Sequence, residues 1–163
     1  MTFQDRFKDV DDLIAGLGPI VPTLPGPIQP KLVGFLAVNA VTAYELAIKE
    51  IIEDYATSKH EDFGEFVRNA YARINGKIKI KDLKDQLKKF GEKYEHNFTE
   101  ALNEKKTEVF NEEHVDLFSC YDNLLVCRHI YIHRNNVTLS FDECIKDYNI
   151  GKHVLETLAF VMR

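Results

Sequence analysis

Leu117-Phe118-Ser119-Cys120-Tyr121-Asp122-Asn123-Leu124-Leu125-Val126-Cys127-Arg128-His129-Ile130-Tyr131-Ile132-His133-Arg134 is the heart of the strongest helical pattern in the chain, which spans residues 112–134. On a wheel of about 100° per residue, Tyr131, Leu124, Leu117, Tyr121, Ile132, Leu125 and Phe118 share an arc of roughly 140°. Arg128 falls near the middle of that arc. A charge there is costly unless something pairs with it. Two readings stay open: a buried salt bridge to a carboxylate on another helix, such as Glu45, or an arginine held in a cleft or subunit interface to meet an anion. Cys120 and Cys127 border the arc and read as small hydrophobes.

His129 and His133 stand one turn apart and share a face. That spacing suits a metal, as in His-Glu-x-x-His helices. Here Ile130 occupies the glutamate's place, no third ligand is evident, and no metal is expected. The competing reading is ordinary polar surface near a helix end. Asp122 falls between the two histidines in wheel angle and is placed to support one of them. Arg128 and His133 are five positions apart, hence about 140° apart on an ideal helix. Sharing one substrate requires the arginine to curl round, the last turn to loosen, or two subunits to pool residues. Asn135-Asn136 favours a loosened end.

Outward from this stretch, Ser140-Phe141-Asp142-Glu143 is a capping box. It opens a last helix that runs to the C-terminus, with Gly151 as a point of bending or interruption. Upstream, residues 31–57 read as one long helix, apolar nearly all round at first and therefore buried. Residues 3–17 make a short amphipathic helix ended by Gly16 and Gly18. Residues 18–30 hold all five prolines. They form a turn-rich connector whose Ile20, Val21, Leu24 and Ile28 are expected to pack. Between 60 and 110 lies a polar middle region. One helix there runs to an Asn75-Gly76 stop. Lys77 to Lys81 alternates like a strand but, lacking a partner, reads as a loop into the next helix. A helix follows over Asp82–Tyr94, weakened by Gly91, and a fainter one over Asn97–Thr107. The fold class is all-α: an up-and-down bundle of four or five main helices in one domain, residues 1–163.

The 163 residues carry 45% apolar and 29% charged side chains, enough for a core and a solvated surface. A net charge of -5 excludes a broad, non-specific nucleic-acid coat but not a small cleft that handles one phosphate. Three cysteines, an odd number, argue against a disulfide framework. The N-terminus lacks an apolar signal core, and the apolar run Leu32–Ala47 is broken by Asn39, Thr42 and Glu45. A cytoplasmic protein with no membrane partner is expected.

The run Leu124 to His133, with its Arg-His-x-x-x-His hexapeptide, resembles the signature of HEPN domains. Its place late on the penultimate long helix, before a short loop and a capped final helix, is also similar to that family's. The segment Val38–Ile52, with Ala43-Tyr44-Glu45-Leu46, resembles the early long helix of RiboL-PSP-HEPN-type members. The resemblance covers residues 31–163 in layout. It implies a metal-independent endoribonuclease without cofactor, dimeric, with two motifs facing each other across the interface. His133 would be the general acid/base on the ribose 2′-hydroxyl, and Arg128 would bind the scissile phosphate. His129, Tyr131, Arg134 and Glu45 would support them or touch RNA. A toxin, antiviral or stress-defence role, with an antitoxin or regulatory partner, goes with that reading. Some members of the family are catalytically silent and bind nucleotide, RNA or protein instead. Histidine at 129, where many active members carry asparagine or aspartate, and Arg134 in place of a small residue are departures.

Overall fold

The computed structural model describes residues 2–72 and 76–163, and among these it contains seven α-helices and no strand. They are α1 (Lys8–Leu17), α2 (Gln29–Lys59), α3 (Glu61–Tyr71), α4 (Ile80–Phe90), α5 (Glu92–Glu113), α6 (Leu117–Arg134) and α7 (Phe141–Val161). The all-α expectation holds, and four or five helices was an undercount. Two breaks also shift the boundaries expected for the middle helices. Gly91 adopts φ 138°, a conformation costly for residues with a Cβ, and divides the 82–107 region into α4 and α5. His114 caps α5 in the left-handed region, and the Asp116 side chain then accepts the Ser119 N–H at 2.8 Å to start α6. The penultimate helix therefore begins at Leu117, and residues 112–113 belong to α5.

Other boundaries agree more closely. Residues 3–17 are helical, entering through a 3-10 turn at Phe3–Phe7. Ser140 caps α7, with Glu143 reaching back to the Ser140 N–H at 2.8 Å. Gly151 does not interrupt α7. It leaves room for Tyr44, whose hydroxyl would stand 2.4 Å from an added Cβ. In the proline-rich connector only Val21 is buried, while Ile20 and Ile28 are exposed, so most of its apolar residues do not pack as expected. Lys77–Lys79 form a non-helical lead into α4. The Asn75 half of the expected Asn75-Gly76 stop lies outside the described residues; α3 ends at Tyr71.

α2 is the axis of the fold and packs against α3, α6 and α7. At 31 residues it is long and apolar enough, by composition, to cross a membrane. More than half of its most apolar window is nonetheless buried against the other helices. The helix extends two residues beyond the expected 31–57 at each end. α2 and α6 lie antiparallel in a constant register. Lys31 Nζ donates to Asn135 Oδ1 at 2.5 Å, the Tyr131 ring covers Gly34, and Tyr44 stacks on Tyr121 with centroids 5.6 Å apart. Tyr44 also stacks on Tyr148 of α7, and its hydroxyl donates to the Tyr148 carbonyl at 2.5 Å. Each such ring pair is worth about 0.5–1.5 kcal/mol beyond its burial.

The buried face of α6 comprises Leu117, Cys120, Tyr121, Leu124 and Cys127. It is rotated toward the cysteines relative to the arc read from the sequence. Ile132, counted within that arc, is 50% exposed.

Candidate functional site

Arg128 projects from the edge of the α6 core face. Side chains on a helix lean toward its N-terminus. Because α2 and α6 are antiparallel, Arg128 and Glu45 lean toward each other and converge beside Val41. Arg128 Nη2 stands 4.0 Å from Glu45 Oε1, with the two side chains 31% and 12% exposed. This is a loose ion pair, longer than a hydrogen bond. The Arg128 Nε is shielded from solvent and has no acceptor. Glu45 Oε1 is engaged elsewhere, accepting the Gly76 N–H at 3.0 Å. Of the two readings left open for Arg128, the ion pair with a carboxylate on another helix is present in a loose form. It pairs with the carboxylate of Glu45, yet the pair leaves part of the guanidinium unsatisfied.

The guanidinium borders a recess of about 190 Å³. Its walls come from three separated stretches: Val41 and Glu45 of α2; Gly76, Ile78 and Lys79; and Leu125, Val126, Arg128 and His129 of α6. The middle wall is fixed in place. Ile78 is buried, its carbonyl accepts from the Tyr121 hydroxyl at 2.7 Å, and the Lys79 N–H donates to Asp82 Oδ2 at 3.2 Å. Lys79 was not singled out in the sequence. It looks like its lysine neighbours, and only the burial of Ile78 reveals which one meets the recess.

The histidines lie on the outer side of the recess. His129 lines it and is exposed; His133 is exposed and does not line it. Their rings pack at 4.5 Å between centroids. α6 stays α-helical to Arg134, and Asn135 then turns left-handed with φ 53°. The last turn is therefore not loosened, and Arg128 and His133 of one chain do not share a face. Tyr131 packs on Gly34 rather than entering the recess, and Arg134 is exposed beyond it. Asp122 is exposed and lies in a neighbouring groove with Lys79 and Lys81. Among the described residues, no three His, Cys, Asp or Glu side chains converge as a metal ion would require. The three thiols are buried, and burial pushes those of Cys120 and Cys144 up to about 12, which leaves them protonated and unreactive at neutral pH.

An all-helical chain with a cationic recess on its penultimate helix fits the class of HEPN domains. The model of the RiboL-PSP-HEPN family matches residues 1–159, and the chain belongs to that family. The match extends back through the N-terminal helix and connector, beyond the 31–163 layout. No curated protein and no solved structure matches the chain. Membership supports a nuclease or RNA-binding module in general, and HEPN domains commonly bind RNA and dimerise.

Proposed function

We propose that the protein is a metal-independent endoribonuclease whose active site is completed by two copies of the chain. The observation that carries this reading is the half-satisfied Arg128 guanidinium at the edge of a recess, with His129 beside it. Arginine stays charged and forks onto phosphate oxygens. Stabilising charge where it develops is often the largest catalytic contribution.

In the proposed reaction His133 takes the proton of the ribose 2′-hydroxyl. The 2′-oxygen attacks the adjacent phosphorus while Arg128 holds the non-bridging oxygens. The bond from phosphorus to the 5′-oxygen breaks, and that oxygen receives a proton from a second histidine. The products are a 2′,3′-cyclic phosphate and a 5′-hydroxyl, and no metal or redox partner takes part. Since Arg128 and His133 of one chain point apart, the arginine of one copy works with the histidine of the other. Exposed Val126 and Ile132 on α6 and Phe35 on α2 supply apolar surface near the motif for such a contact. A setting in toxin, antiviral or stress defence, within the cytoplasm, belongs to the same proposal.

The test is cleavage of single-stranded RNA in EDTA. Wild type cuts; Arg128→Ala, Arg128→Lys and His133→Ala each lose at least about a hundredfold, in line with loss of an acid/base or charge-stabilising group. The folded state survives, because the pair is loose at 4.0 Å and Glu45 keeps the Gly76 N–H at 3.0 Å when Arg128 is replaced. Cutting that persists in all three variants would sink the assignment. RNA binding without cutting would make the chain a catalytically silent HEPN module.

A further inference from the structure

Among the side chains lining the recess, the charges are Arg128, Glu45 and Lys79. Glu45 offsets Arg128. Without Lys79 the recess would be electrically neutral with His129 uncharged, a poor place for a phosphodiester. The Lys79 ammonium is exposed and has no hydrogen-bond or ion-pair partner among the described residues. Its backbone is held by Asp82, and buried Ile78 anchors the segment from the other side. Lys79 also borders a second, shallower groove with Lys81, Phe118, Ser119 and Asp122. It therefore stands on the ridge between two depressions. The second contains another cation, Lys81, and an aromatic side chain, Phe118, the pairing used to track single strands.

From this placement we infer that Lys79 is a substrate-binding residue. It takes the phosphate next to the one held by Arg128 and passes the strand from the recess into the Lys81–Phe118 groove. The inference rests on the proposed RNA-cleaving role and adds a requirement of its own: a good substrate has at least two consecutive phosphates. A dinucleotide with one internal phosphate cannot use Lys79.

The experiment compares wild type, Lys79→Gln and Lys79→Arg on a single-stranded hexanucleotide and a dinucleotide, in EDTA. Lys79→Gln raises KM for the hexanucleotide about five- to tenfold with little change in kcat, Lys79→Arg restores it, and the dinucleotide is indifferent to both. Binding of the same hexanucleotide to His133→Ala chains, with and without Lys79→Gln, is then followed against salt. Losing one phosphate contact lowers the slope of log affinity on log salt by about 0.7. RNA bound and cut normally by Lys79→Gln, with an unaltered salt slope, overturns the inference and spares the cleavage reading. RNA bound but not cut by wild type overturns the cleavage reading, and the salt slope still decides the role of Lys79. A chain that binds no RNA overturns both.

Discussion

Asp147 shows how a single residue records the cost of its surroundings. It lies on α7 and is buried, and that burial pushes its carboxyl above the usual carboxylate range, while hydrogen bonds from Cys120 and Asn123 partly restrain the rise. A carboxyl whose folded value is raised favours folding most when protonated. Its contribution is complete below the unfolded value, about 3.9, and is lost as pH rises through the folded value. Asp147→Asn removes this loss. In thermal melts its stability relative to wild type should climb from about pH 4 and level off once pH passes the folded value of Asp147; a constant difference would mean Asp147 is not desolvated as the fold implies. Among the candidate site residues, Arg128 was legible from the sequence because a charge on an apolar face is a physical anomaly. Lys79 was not, since nothing local separates it from Lys77 and Lys81. Its place depends on a contact between Ile78 and Tyr121, 43 positions away.

At the scale of elements, helix identity was more legible than helix ends. Apolar spacing marks α2, α6 and α7 plainly, because each buries a broad face. The start of α6 was obscured because Glu112 and Glu113 suit the helix before it as well as the one after. The phase of α6 was displaced because Cys120 and Cys127, counted as borders, are fully part of the core, whereas Ile132 is not. The end of α6 depends on Asn135, which holds a left-handed φ of 53° and accepts from Lys31 at the start of α2. Asparagine tolerates this conformation better than residues with branched side chains. Asn135→Val should cost about 1–2 kcal/mol in denaturant unfolding, and Asn135→Gly much less. Because His133 sits two residues before this cap, Asn135→Val should also lower cleavage more than the loss of stability explains. Equal activity at equal folded fraction would show that the cap does not position His133.

For the whole molecule, the proposed dimer sets a demand that Glu45 answers. Two guanidinium groups brought within about 4 Å near a protein surface repel by roughly 4 kcal/mol. A chain that displayed a bare arginine on its contact face would resist meeting its own copy. Here every Arg128 arrives with Glu45 of the same chain at 4.0 Å, so each copy brings its own counter-charge. Light scattering should therefore give twice the chain mass across a wide range of salt, with little change in dissociation constant. Glu45→Gln should weaken the dimer in dilute buffer and recover it in concentrated salt, where added ions screen the repulsion. A strict monomer in wild type, or a variant dimer indifferent to salt, would contradict this. The loose ion pair on α2 and α6 thus becomes a means of self-tolerance: it lets identical faces approach while keeping each arginine available to a more strongly charged visitor.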